Sequence, residues 1–147
     1  MPVVRNPQFY FKEGFCWSAV NGTRSTNELK FRFKQESVTD VQGMSLHCVA
    51  NSVSAKYITC LCNADFVSRY TESFVNSTVI FQINDARQIP IIIPTIEQLN
   101  EFEQLFDFAT KIKQSQLINQ ISKNETENKL AEIQIVLDKM VRILYGF

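Results

Sequence analysis

Between Thr95 and Tyr145 the chain contains neither glycine nor proline, and this stretch narrows the choice of fold more than any other feature. A run of that length without a breaker, directly after Pro90-Ile91-Ile92-Ile93-Pro94, favours long helices over a sheet. Thr95-Ile96-Glu97-Gln98 has the capping-box form, in which a hydroxyl accepts the backbone N–H three residues on and the glutamine returns the bond. Leu99, Phe102, Leu105, Phe106, Ala109 and Ile112 then share one helical stripe. A turn is expected at Ser122-Lys123-Asn124, with Asn124 as the next cap and Glu127 three residues on. The second stripe, Leu130, Ile133, Leu137, Met140 and Leu144, steps by three and four. It is too short for a free coiled coil, so these side chains are expected to dock on the first helix or on a partner. Gly146 is placed to end the second helix.

Residues 1–94 read as strands with one packed helix. Residues 8–11 and 15–20 are aromatic and β-branched, are separated by Gly14, and are expected to be strands. Asn21-Gly22-Thr23-Arg24-Ser25 has the chemistry of a turn. Lys30-Phe31-Arg32-Phe33-Lys34 alternates strictly, which sends the two Phe to one face of a strand and the three cations to the other. Residues 44–49, 78–83 and 88–93 are further strand candidates, and residues 54–74 have helical periodicity with Ser54 as cap. The expected fold is therefore α+β: a small mixed β-sheet with a packed helix over residues 1–94, then an antiparallel helical hairpin over 95–147, packed as one unit.

Formal charge sums to zero over 15 basic and 15 acidic residues, but it is unevenly distributed. Residues 1–34 carry six basic groups against two acids, and residues 91–147 carry six against eight. The balance excludes a strong non-specific polyanion binder and leaves the N-terminal third able to face an anion. No apolar run is long enough to cross a bilayer, and Met1-Pro2-Val3-Val4-Arg5 opens no apolar signal segment, so a cytoplasmic chain without a membrane partner is expected.

Catalytic chemistry is sparse. His47 is the only imidazole, in a run read as strand beside Cys48, and is expected to be an ordinary half-buried side chain. Cys60-Leu61-Cys62 has the wrong spacing for zinc when placed on a helix, because its two thiols point apart. No glycine-rich phosphate loop is present. Catalytic residues and bound metal are thus expected to be absent. Asn6-Pro7-Gln8-Phe9 looks like the amine-holding signature of amino-methyltransferases, but it lacks the second proline and an upstream cofactor-binding sheet.

Binding chemistry concentrates in the same N-terminal third. Lys12, Lys30, Arg32 and Lys34 are candidate phosphate contacts, and Ser18, Asn21, Thr23 and Arg24 bring hydrogen-bonding side chains of the kind that read base edges. Arg69 and Arg87 are weaker candidates.

Four stretches raise the weight of that reading. They are Tyr10-Phe11-Lys12-Glu13-Gly14-Phe15-Cys16-Trp17-Ser18, then Phe31-Arg32-Phe33-Lys34, then residues 81–94 ending in Ile89-Pro90-Ile91-Ile92-Ile93-Pro94, and finally Leu137-Asp138-Lys139-Met140-Val141-Arg142-Ile143-Leu144-Tyr145-Gly146-Phe147. Together and in this order they resemble the C-terminal target-recognition domain of adenine-specific (N6) DNA methyltransferases of the type II, single-chain restriction–modification class, including related phage-defence methylases. The sequence departs from that pattern at Val41-Gln42-Gly43-Met44, where relatives often carry Gly-Ser or Gly-Pro. The resemblance implies a module that reads double-stranded DNA and docks on a methyltransferase catalytic domain or subunit. S-adenosylmethionine and the chemistry would belong to that catalytic half, and the chain would be either an excised piece or a separate recognition subunit. The competing expectation is a protein-interaction module that forms homo- or hetero-oligomers through the hairpin, with Phe102, Phe106, Ile135 and Val136 to spare.

Overall fold

The fold was taken from a computed structural model that describes residues 7–19, 30–38, 43–47, 50, 52–78 and 80–147. It is α+β, with a three-stranded sheet, a short run of central helices and a C-terminal helix pair. Strands β1 (Gly14–Ser18), β2 (Arg32–Lys34) and β3 (Gly43–Leu46) lie in the order β2-β1-β3. The expected mixed sheet is antiparallel in both pairings, with Cys16 opposite Arg32 on one side and opposite Ser45 on the other. Gly14 is required here by space, since a Cβ would run into the Leu46 carbonyl and come within 2.8 Å of His47 Nδ1. Phe15, Trp17, Phe31 and Phe81 pack ring to ring beneath the sheet, and Trp17 Nε1 donates to the Phe81 carbonyl at 3.0 Å.

Several strand expectations give way to hydrogen bonds that propensity does not register. Residues 8–11 are not a strand. Pro7–Phe9 forms a 3₁₀ turn closed by Tyr10 N–H on the Pro7 carbonyl, and Phe11 follows with a φ of 55°, consistent with proline favouring the first turn of a helix. Among the described residues of 78–83 only Ile80 bridges, and Ile83–Ala86 is a short helix (α3) whose Asp85 carboxylate accepts the Gln82 N–H at 2.8 Å. Residues 88–93 join no sheet. Two tyrosines hold that segment by its carbonyls, with Tyr145 donating to Pro90 and Tyr57 to Ile92. The turn expected at 21–25 lies outside the described residues.

The single helix expected over 54–74 is divided. Ser54 caps α1 (Ala55–Cys62) as anticipated, but Asn63 and Ala64 interrupt it before α2 (Asp65–Tyr70), which runs into a π-helical turn at Thr71–Val75. The interruption is fixed from two sides. Asn63 bonds both backbone groups of Phe31, donating to its carbonyl at 2.8 Å and accepting its N–H at 2.9 Å.

The hairpin forms as α4 (Ile96–Leu117) and α5 (Lys123–Tyr145). Thr95 and Gln98 make the reciprocal cap, and Gly146 ends α5 at φ 85°. Ser122, rather than Asn124, caps α5 by accepting the Glu125 N–H, because the helix begins one residue before Asn124. Lys56 on α1 pairs with Asp107 on α4 at 2.7 Å, and this bond is the largest cause holding the ammonium above its ordinary pKa. Among the described residues no helix is long and apolar enough to cross a membrane.

Candidate nucleic-acid interface

The antiparallel pair β1–β2 sets the site. Ser18 and Lys30, which flank residues 20–29 in the sequence, stand at the same end of the pair by its register. Both side chains are exposed, and so is Arg32, two residues along β2. Arg32 makes no ion pair among the described residues. Asn21, Thr23 and Arg24 lie outside the described residues.

Lys34 departs from the expected row of three exposed cations. It is only 4% exposed, and its ammonium donates to the carbonyls of Lys12 at 2.8 Å, Gln35 at 3.3 Å and Ser37 at 2.7 Å. Three carbonyls give a buried ammonium the acceptors it loses on leaving water. Strict alternation misled at this position because the strand ends there and the chain wraps back over its side chain. Lys34 is thus a structural fastener for the segment that carries Lys12. Lys12 is exposed, 5.8 Å above the Phe9 ring, and sits at the far end of the β1–β2 pair from Lys30. The sheet therefore brings together Ser18, Lys30 and Arg32 and leaves Lys12 apart.

His47 is half-buried, stacked at 5.4 Å on Phe9, with Nδ1 donating to the Glu13 carbonyl at 2.9 Å. Burial pushes the Cys16 thiol up, against the pull of Arg32 and Lys34, and pushes the Cys60 thiol up to about 12. Among the described residues no three His, Cys, Asp or Glu side chains stand together in the way a metal ion needs. Arg69 is engaged by Asp65 and Arg87 by Asn84.

The docking stripe on α5 splits in two. Leu137 is buried, and Met140 and Leu144 pack against the core. Leu130 and Ile133 are half-buried and face a groove of about 850 Å³ between β2 and the hairpin, floored by α1. Phe102, expected to be spare, is 2% exposed, against Tyr57. Phe106 meets the Phe33 ring at 5.3 Å across the groove. Ile135, Val136 and Ile143 are exposed.

Sequence reasoning missed Asn63 and Asp138, whose polar side chains fix the sheet and α2 in place. Nothing in a helical pattern marks a partner so distant in the chain, although each interrupts or flanks an apolar stripe. No protein-family model matches the chain, and no curated protein does.

Proposed function

We propose that this chain is a sequence-specific DNA recognition module, the target-recognition domain of an adenine-N6 DNA methyltransferase of the restriction–modification class. The observation that carries it is the exposure of Ser18, Lys30 and Arg32 at one end of the β1–β2 pair, on either side in sequence of Asn21, Thr23 and Arg24. On this reading Lys30 and Arg32 hold phosphates, with Lys12 a separate contact along the backbone. Asn21, Thr23 and Arg24 read base edges in a groove. The target adenine is turned out of the duplex toward a methyltransferase partner, which holds S-adenosylmethionine. The four stretches that resemble such domains support the assignment, and two of them supply β1 and β2.

The test is selection from a pool of random duplex DNA at two salt concentrations. Enrichment of a short motif, with affinity falling as salt rises, is expected. Retention of no duplex at low salt, by the chain alone or with a methyltransferase partner, would overturn the reading.

A second reading rests on Ile135, Val136 and Ile143, exposed on α5 away from the buried part of the stripe. In it the hairpin is an oligomerisation surface. Sedimentation that stays monomeric at high protein concentration would dismiss it.

A further inference from the structure

The outer edge of β2 is one of the two edges of the sheet. In the order β2-β1-β3, β2 has a strand on one side only among the described residues. Asn63 fixes which groups face outward, because it takes both the N–H and the carbonyl of Phe31. Antiparallel strands alternate the direction of these groups from residue to residue. Arg32 therefore points its pair at β1, and Phe33 points its N–H and carbonyl outward, into the groove. Asn63 already acts as a one-residue strand partner at Phe31, and the next outward position, Phe33, has none among the described residues.

The groove beside that edge is suited to an extended chain. Leu105, Phe106, Ala109, Leu130 and Ile133 give it an apolar lining. Its charges are unbalanced. Asp65 is engaged by Arg69 and Arg142, and Asp138 by the Asp65 N–H and Gln134. Arg32 and Lys113 also line it, and among the described residues neither is in an ion pair, Lys113 donating to the amide oxygen of Gln116 at 3.1 Å. An added strand alternates its side chains between the two faces of the sheet. One set would meet the apolar wall beside Phe31 and Phe33, and the other would meet the cations.

We infer that this groove binds an extended peptide segment of a partner protein as a fourth strand on β2, its apolar side chains alternating with carboxylates. The backbone edge gives the affinity and the groove gives the choice of side chains. Arg32 serves both this face and the proposed DNA surface, so an acidic strand and a duplex exclude one another there.

The test uses the full chain and a fluorescein-labelled peptide of alternating valine and glutamate, with the valine–lysine peptide as control. Anisotropy should show the acidic peptide binding about tenfold more tightly than the basic one. Amide hydrogen exchange at Phe33 should slow on binding while that at Arg32, already paired, changes little. Ile133→Glu should weaken binding about tenfold, and Lys113→Glu, on an exposed side chain, should weaken it without touching the fold. Equal binding of the two peptides, or an unchanged Phe33 amide, would overturn the inference. Protection of that amide rising with protein concentration alone would also overturn it, by assigning the edge to a second copy of the chain.

Discussion

The carboxylate of Asp138 on α5 accepts the backbone N–H of Asp65 at 2.8 Å, capping α2 from 73 residues further along the chain. The residue at the N-cap itself, Ala64, has no side chain able to do this. Asp138 also accepts from Gln134, whose amide reaches the Asn63 carbonyl at 3.1 Å. One carboxylate thus joins the hairpin to the interruption between α1 and α2. Asp138→Ala should cost about 1–2 kcal/mol, the worth of an N-cap. Urea denaturation measures it, and a loss indistinguishable from that of an exposed Glu101→Ala control would count against the cap.

Asn63 makes a sharper comparison possible. Asn63→Ala removes the bonds to Phe31 and should cost about 2 kcal/mol for the two lost partners. Asn63→Asp should cost more, despite its closer shape, because a carboxylate oxygen would then face the carbonyls of Phe31 and Thr59 that now receive the amide. Thermal unfolding ranks the three proteins. If the Asp variant proves the more stable of the two, the donor assignment is wrong.

Lys34 and Arg32 sit two residues apart and should behave oppositely. Lys34→Met should lower stability by leaving the carbonyls of Lys12, Gln35 and Ser37 without their common donor, and leave the salt dependence of DNA binding unchanged. Arg32→Gln should leave stability nearly unchanged and reduce the slope of log affinity against log salt by about 1. Equal changes of slope in the two variants would mean that Lys34 turns outward in the complex.

Cys60 sets a prediction for alkaline pH. Burial raises its thiol from 9.0 to about 12 in the folded chain. The unfolded chain loses that proton first, so the stabilisation from keeping the thiol neutral is intact below pH 9 and is lost as pH rises toward 12. Burial raises Tyr145 in the same direction, from 10.0 to about 12. Stability should be flat from pH 7 to 9 with respect to these groups and then fall. Cys60→Ala should flatten the fall by up to about 1.4 kcal/mol per pH unit. An unaltered slope in that variant would remove Cys60 as a cause.

The hairpin was legible because its information is local. A breaker-free run, a Thr95–Gln98 cap and stripes at helical spacing need no partner to be recognised. The same holds for Ser54, for Gly146 and for the face shared by Phe31 and Phe33. The strand readings at 8–11 and 78–83 failed because a local turn after Pro7 and a local cap at Gln82 outweigh strand propensity, and the reading at 88–93 failed because distant groups decide that segment. Tyr57 and Tyr145 claim carbonyls that a ladder would have used, and Asp85 turns its segment into a helix. At the candidate site, composition identified the basic strand but not the depth of each cation. Whether a lysine faces water or three carbonyls depends on where the strand ends, and alternation carries no such information.

The chain has one tryptophan, Trp17, 2% exposed among Phe15, Phe31 and Phe81 and bonded to the Phe81 carbonyl. Its emission is therefore an internal optical gauge of the joint between sheet and helices. Shielded from solvent, the indole would not be in direct contact with a duplex or peptide lying on the surface. A change of its spectrum on adding either one would report that the interior had repacked, and a constant spectrum beside a rising anisotropy would report rigid docking.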